Sequence, residues 1–285
     1  MWESAQANEP IIRLSAFLGV FAIMALWEVI APRRKRAFSR LRRWTNNIGI
    51  VVFNTLVLRL LFPTAAVGMA LAAEANGWGV FNTFAVPEMV AVVLAVVIMD
   101  FAIYLQHILV HFVPALWRLH RMHHADLDYD VTTGARFHPI EIVISMGLKL
   151  MVVSAIGAPA LAVLIFEVIL NATAMFNHGN VKIPRPVDRV IRLFIVTPDM
   201  HRVHHSVNPV ETNSNYGFSL SIWDRLFGTY RDQPQGGHEG MTLGIEQFRT
   251  SKDLRLDQML IQPFKGAASG APYASDGNGG GSHGG

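Results

Sequence analysis

The sequence predicts an all-α, polytopic membrane protein with about four to five membrane segments and a helical cap on the cytoplasmic side. Hydrophobic residues make up 51% of the 285 positions and charged residues 16%, and the mean hydropathy is +0.32. These values are typical of a chain with several membrane helices and not of a soluble domain. The chain contains 12 histidines and no cysteine, which excludes a disulfide framework and any thiolate-bound metal.

Two apolar segments precede the histidine-rich part of the chain. Residues 11–31 are long enough to cross ~30 Å of hydrocarbon. The loop that follows carries seven Lys or Arg residues between positions 33 and 43, which places it in the cytoplasm in contact with lipid headgroups. The second segment, 48–73, is interrupted by Pro63. Residues 1–87 are therefore predicted to form an N-terminal membrane part.

Three more apolar segments follow, at 88–113, 140–156 and 160–177. The last two either cross the membrane separately as a hairpin or form a re-entrant pair, since ~17 residues is near the lower limit for a span. If all five cross, segments 114–139 and 179–265 both lie on the cytoplasmic side. The predicted catalytic domain is 88–265, and the glycine-rich tail 266–285 is expected to be disordered.

Two histidine triplets with the same spacing stand out in the predicted cap. They are His120-Arg121-Met122-His123-His124 and, 81 residues later, His201-Arg202-Val203-His204-His205. On a helix, the three imidazoles of each triplet leave one face within one turn. Thr197 is a predicted N-cap and Pro198 the first helical residue of a short helix over 199–206. The two triplets predict opposite walls of an all-nitrogen metal site.

Further histidines and acidic residues lie at or near the ends of the apolar segments. His107 and His111 are four residues apart, so a helix directs both side chains to one metal. His138 precedes Glu141, which is expected to orient an imidazole from outside the ligand sphere. Asp100 shares the helix stripe of His107, and acidic residues inside membrane segments are usually functional. We therefore expect Asp100 to support the site or to line a substrate cavity.

The fifth apolar segment repeats this arrangement, with Glu167, Asn171 and His178 on one stripe and the same expected roles. His238 and His283 have glycine-rich surroundings and are expected to be exposed. Imidazole ligands without thiolate suit Fe, Zn, Cu or Ni. Because nine or ten imidazoles are too many for one ion, the sequence predicts two metal ions where the bilayer meets the cytosol.

The order and spacing of these histidines resemble the fatty acid hydroxylase/sterol desaturase superfamily of integral membrane enzymes. The resemblance runs from HxxxH at 107–111 through HxxHH at 120–124, NHGN at 177–180 and HxxHH at 201–205. It ends in Asn215-Tyr216-Gly217 and the stretch 222–230, and it covers roughly 90–230. Each box alone is a weak signal, whereas the combined order and spacing are highly specific.

The resemblance implies a di-iron centre that uses O2 and two electrons to hydroxylate, or sometimes to desaturate, a lipid. The metal ligands that it implies are His107, His111, His120, His123, His124, His178, His201, His204 and His205. Several members carry another histidine where this chain has Ala174, and His138 or a water is expected to replace it. The sequence shows neither a haem-binding box nor a Rossmann glycine loop, so the electrons are expected from a separate ferredoxin or cytochrome. The expected location is the inner or plasma membrane.

Two other functions fit parts of the pattern. A zinc-dependent membrane hydrolase needs three protein ligands and an open position, and iron content and O2 dependence distinguish it. A metal transporter or sensor would hold its ligands near the middle of the bilayer, whereas these histidines gather at one face. Nucleic acid is not an expected partner, because the basic residues adjoin membrane segments. Fatty acyl, sterol, carotenoid and hydrocarbon substrates all fit the pattern.

Overall fold

The computed structural model describes residues 8–266, which form helices joined by loops and a few isolated bridges. The first eight helices are α1 (Glu9–Ile30), α2 (Arg40–Leu61), α3 (Ala65–Ala75), α4 (Val80–Thr83), α5 (Glu88–Phe112), α6 (Pro114–His124), α7 (Pro139–Ile156) and α8 (Ala160–Asn177). The part of the chain after α8 is here called the cap. Its helices are α9 (Arg185–Ile191), α10 (Pro198–His204), α11 (Pro209–Thr212), α12 (Ile222–Leu226), α13 (Gly237–Gly240) and α14 (Leu256–Ile261). The predicted tail, including His283, lies outside the described residues except for Gly266.

Five stretches of the described chain are long and apolar enough to cross a membrane. They are α1, the stretch Arg40–Thr83 that holds α2 to α4, and helices α5, α7 and α8. The second stretch is broken between Leu61 and Ala65, because Pro63 lacks an N–H group and its ring blocks a continuous helix. The all-α membrane class is confirmed, at the upper end of the predicted number of segments.

Local sequence sets the ends of the helices near the histidines. As predicted, α10 begins after Thr197, whose side chain accepts a hydrogen bond from Met200 N at 3.3 Å, and Pro198 is its first residue. α7 ends at Ile156, and the residue that follows it, Gly157, is in the left-handed region with φ 67°. A Cβ there would lie 2.6 Å from the carbonyl oxygen of Trp78, so the turn between α7 and α8 requires glycine.

Helices α3, α5 and α8 pack closely at the end of the bundle away from the histidines. The small buried residues in this contact include Ala66, Ala70, Ala91, Ala95, Ala160 and Ala162. Small side chains let helix backbones approach closely inside a membrane. Large apolar side chains such as Leu60 and Val93 are exposed on the outer faces instead. The bundle is therefore tightly packed inside and apolar outside, as a bilayer requires.

A buried ionic network attaches the loop between α6 and α7 to α2. Arg43 was expected, with the rest of the basic run 33–43, to contact headgroups, but it is fully buried. Its guanidinium donates to the two carboxylate oxygens of Asp126 at 2.9 and 2.7 Å, and also to Asp130. Removing one partner of a buried pair costs about 3–5 kcal/mol. The network therefore holds the end of α6, with its histidines, against a membrane helix.

Candidate metal centre

Nine histidines meet in two adjacent buried groups where α5, α6, α8 and α10 come together. The first group holds His107, His111, His120, His124 and His204, and the second holds His123, His178, His201 and His205. Within each group, one ligand atom of every residue lies within 4.8 Å of the others. The two groups adjoin, since the rings of His124 and His205 stack with centroids 4.5 Å apart. Each of the nine residues is at most 6% exposed, so protein surrounds both groups.

Each triplet divides its histidines between the two groups. On α6, His120 and His124 enter the first group and His123 enters the second. Neighbouring residues on a helix point about 100° apart, so His123 and His124 diverge toward different groups. The second triplet gives its i and i+4 residues to the second group and its i+3 residue to the first. The triplets are thus not two opposite walls, because each contributes to both groups.

Hydrogen bonds from the Nδ1 atoms hold four of the rings. Three Nδ1 atoms each donate to a carbonyl oxygen at 2.8 Å, in the pairs His107 with Tyr216, His204 with Ser214 and His178 with Ala174. A carbonyl oxygen can only accept, so these Nδ1 atoms carry the proton and the Nε2 lone pairs are available to a metal. The fourth, Nδ1 of His120, lies 2.6 Å from Oε1 of Glu141. A carboxylate in this position fixes the ring and makes the imidazole a more basic ligand.

The donor set fits metal ions. Several buried ring nitrogens lack a hydrogen-bond partner among the described residues, namely Nε2 of His107, His120 and His204 and both nitrogens of His111 and His124. In the second group, the Nε2 atoms of His178 and His123 lie 3.2 Å apart. Two imidazoles bound to one ion at ~2.1 Å have nitrogens about 3.0–3.4 Å apart. The arrangement therefore suits two transition-metal ions with imidazole ligands.

Burial keeps the imidazoles of the two histidine groups outside the membrane helices neutral. Desolvation, with a contribution from neighbouring rings, lowers the pKa of His123, His124 and His205 well below the ordinary value of 6.5. Burial also lowers the pKa of His178 and of His204 to about 3. The neutral imidazole is the form that binds a metal. At neutral pH these rings are therefore already in the ligating state.

The structure places His138 outside both groups, so the expected tenth ligand does not reach the site. Nδ1 of His138 accepts from Ile140 N at 3.2 Å and caps α7, while Nε2 donates to the carbonyl oxygen of Leu260 at 3.1 Å. Both ring nitrogens of His138 therefore form hydrogen bonds with backbone groups.

His238 was expected to be exposed, but it is buried. Its Nε2 lies 3.5 Å from Oδ2 of Asp199.

Glu141 and Asp100, two of the predicted supporting acids, have different surroundings. Glu141 contacts the ring of His120, as described above. Asp100 does not support an imidazole, because its Oδ2 accepts from Trp223 Nε1 at 2.8 Å and from Leu220 N at 3.2 Å. It therefore fastens a segment of the cap to the middle of α5.

A cavity of ≈280 Å³ leads from the first histidine group into the membrane helices. His107, His120 and Glu141 line the end at the metal centre. Lys149 and Glu167, which are paired at 2.8 Å, line the far end. Glu141 and Lys149 are eight residues apart on α7, so the cavity extends about 12 Å along that helix. Its walls also include Leu58, Ile103, Met146, Leu170 and Asn171.

The segment around Tyr216 supports the centre in a way that spacing alone does not reveal. The carbonyl oxygen of Tyr216 accepts the hydrogen bond from Nδ1 of His107, and the N–H group of Tyr216 donates to Oδ1 of Asp224 at 2.8 Å. At Gly217, a Cβ would lie 2.6 Å from Asp224 Oδ2, so a larger residue does not fit. Asn215 has a φ of 54° and its side chain donates to the carbonyl oxygen of Met200 at 2.8 Å. The Asn-Tyr-Gly motif marked this segment, but only the structure reveals that its backbone positions a ring.

Comparison with known proteins adds independent information. The sequence model of the fatty acid hydroxylase family matches residues 92–229, which include all nine converging histidines. The ornithine lipid hydroxylase OlsE of Rhizobium tropici is 31% identical over 228 residues, which cover 77% of this chain and 67% of that protein. Human alkylglycerol monooxygenase is 29% identical over 158 residues, which cover 54% of this chain and 33% of that protein.

A Delta(7)-sterol 5(6)-desaturase of Eremothecium gossypii is 30% identical over 135 residues, covering 47% of this chain and 35% of that protein. The chain thus spans about two thirds of the ornithine lipid hydroxylase and about one third of the other two relatives. No solved structure matches the chain significantly. On the family match and the relationship to the ornithine lipid hydroxylase, this chain belongs to the fatty acid hydroxylase family.

Proposed function

We propose that this chain is a membrane-bound oxygenase that inserts one oxygen atom into a C–H bond of a lipid alkyl chain. The observation that carries the proposal is the position of the two histidine groups, which adjoin a cavity between membrane helices. A lipid can reach such a cavity from the bilayer without exposing its hydrocarbon chain to water. The names of the relatives, ornithine lipid hydroxylase and alkylglycerol monooxygenase, support this type of reaction.

The two histidine groups would each hold one iron ion. Two iron ions with open coordination positions would supply the activation of O2. In the overall reaction, a C–H bond becomes C–OH, and the second oxygen atom leaves as water with two electrons and two protons. An all-imidazole donor set differs from the carboxylate-rich di-iron sites of soluble helix bundles. The ligands proposed for the first ion are those of the first group, and the four other histidines would bind the second ion.

The chain's own residues orient the ligands and position the lipid. Nδ1 hydrogen bonds fix the rings of His107, His178 and His204, so that their Nε2 atoms would be free to bind the ions. Glu141 holds His120 at the histidine end of the cavity, where a bound alkyl chain would end. The apolar side chains of the cavity wall, such as Ile103, Met146 and Leu170, would hold that chain so that one carbon atom is presented to the site. Burial of all nine rings excludes bulk water, which would otherwise compete for the open positions.

We place the metal centre on the cytoplasmic side of the inner or plasma membrane. The loop between α1 and α2 carries the densest group of cations in the sequence, and such loops stay in the cytoplasm. Arg33 in that loop pairs with Asp199 of α10 at 3.3 Å, so the loop and the second triplet belong to one side of the membrane. A separate ferredoxin or cytochrome would deliver the electrons there.

The proposal is tested by expressing the protein in cells and comparing their lipids with those of cells that express His123→Ala. Mass spectrometry of total lipid extracts should reveal a lipid heavier by one oxygen atom in the first cells and not in the second. Growth with ¹⁸O2 should place the heavy isotope in that product. A product that forms without O2, in protein that contains zinc and no iron, would instead identify a zinc hydrolase.

A further inference from the structure

The cap carries an exposed apolar surface beside the membrane helices. It is formed by α9, the turn after it, and α12 with the following residue. Its side chains, each between 48% and 66% exposed, are Val187, Val190, Leu193, Phe194, Ile222, Leu226 and Phe227. The two parts adjoin, since Ser221 N donates to the carbonyl oxygen of Phe194 at 3.2 Å. A patch of seven large apolar side chains, here called the apolar cap surface, indicates a contact with something other than water.

The depth of this surface follows from its attachment to α5. Asp100, which accepts from Trp223 of α12, is twelve residues from either end of α5, about 18 Å along the helix. The ring of Phe227 stacks on Phe101 and Tyr104 of α5, with centroids 5.7 and 5.6 Å away. α5 is one of the candidate spans. The cap therefore extends along a candidate membrane helix as far as its middle.

The charges around the surface also suit a bilayer. Arg185 and Arg189 are exposed on α9, next to the apolar side chains. The acidic residue of the same helix, Asp188, is buried and paired with Arg192. A lipid surface attracts cations and repels carboxylates, and arginine stems can lie in the hydrocarbon while their charges reach the phosphates.

We propose that the apolar cap surface is embedded in the lipid leaflet on the histidine side of the membrane, with Arg185 and Arg189 at the phosphates. The partner is the bilayer itself, continuous with the lipid that covers the exposed Val97 and Leu105 of α5. Interfacial helices insert their apolar faces about 5–10 Å into the boundary between headgroups and acyl chains. Such insertion brings the histidine groups down to the level at which acyl chains begin. A membrane lipid could then enter the cavity from the side.

The absence of cysteine from the chain makes a direct test possible. Single variants Phe194→Cys and Leu226→Cys are labelled with a nitroxide in the full-length protein, in nanodiscs of phosphatidylcholine and phosphatidylglycerol. Power saturation in the presence of O2 or a water-soluble nickel chelate then reports the depth of each label. Val93→Cys, on the exposed face of α5, is the bilayer reference, and Asp257→Cys, at an exposed position of α14, is the aqueous reference.

We expect the labels at 194 and 226 to collide with O2 and to be protected from the nickel chelate, as at Val93. Depth values nearer to that of Asp257 would overturn the proposal. Bound metal and the thermal unfolding temperature are compared with those of the parent protein, and Val190→Cys replaces either variant that fails this check. The measurement does not depend on turnover, so it stands or fails separately from the proposed oxygenase function.

Discussion

Oε1 of Glu141 lies 2.6 Å from Nδ1 of His120, and both residues line the cavity at the metal centre. Glu141 is in the first turn of α7, whereas His120 is on α6, so the contact joins a membrane helix to the helix of the first triplet. The second oxygen of Glu141 is buried and has no hydrogen-bond partner in the described part of the chain. The carboxylate therefore orients the imidazole of His120, and it lies at the end of the cavity that a substrate chain would reach.

This contact predicts that Glu141→Gln lowers turnover about 10–100-fold and weakens iron binding, because an amide holds the imidazole proton less strongly than a carboxylate. Iron per chain and product per iron are measured together in purified protein. Glu74→Gln, at an exposed position of α3, is the matched control and should leave both values unchanged. Unaltered iron binding and turnover in Glu141→Gln would contradict a supporting role.

The unequal sizes of the two groups predict unequal metal losses. His201→Ala leaves three histidines in the second group, whereas His204→Ala leaves four in the first. We expect both variants to lose turnover, and the His201 variant to retain less iron. Elemental analysis of purified protein, normalised to chain concentration, checks this order. Equal iron content at the level of the parent protein in both variants would refute the ligand assignment.

For His138, in contrast to His201 and His204, we predict that substitution leaves iron binding intact. Its ring caps α7 and binds backbone groups, so His138→Asn, which supplies another good N-cap, should retain both ions and near-normal turnover. The free energy of unfolding should fall by about 1 kcal/mol, because the side chain that caps α7 is replaced. Loss of iron from this variant would show that His138 serves as a ligand after all.

The position of Asp100 predicts a loss of stability and not of chemistry. Asp100→Asn weakens the hydrogen bonds that hold Trp223 and Leu220, so the free energy of unfolding should fall by about 1–3 kcal/mol. Iron content and turnover at low temperature should be unchanged. Trp223→Phe should have a similar effect, and the double variant should cost less than the sum of the two. A turnover defect without a change in unfolding temperature would contradict this prediction and would indicate that Asp100 supports the metal site.

The cavity predicts a steric effect that leaves the metal in place. Leu170 lines the cavity, so Leu170→Trp should abolish product formation while iron content remains that of the parent protein. Ile169→Trp, at the adjacent exposed position on α8, is the matched control and should retain turnover. Product from lipid extracts and iron per chain are measured for both variants. Full turnover in Leu170→Trp would show that substrate does not use this cavity.

Much of the fold could be predicted because its signals are local. Apolar runs, a proline break and capping residues act over a few turns, so the five candidate spans and the start of α10 were predicted correctly. The i, i+3, i+4 spacing likewise identified the two triplets. Local spacing could not decide how histidines from α6 and α10 would be shared between the two histidine groups, because that depends on how the helices cross.

The sequence by itself determined the helical membrane class, because that class depends on composition and on apolar runs. Its resemblance to the fatty acid hydroxylase/sterol desaturase superfamily implied the nine histidines that converge. Only the tertiary structure decided the roles of several other polar residues. It buried Arg43 against Asp126, turned His138 into a helix cap and directed Asp100 to Trp223. The physical reason is that a polar side chain inside a membrane protein must find a partner. Which partner it meets depends on packing between segments that lie far apart in the chain.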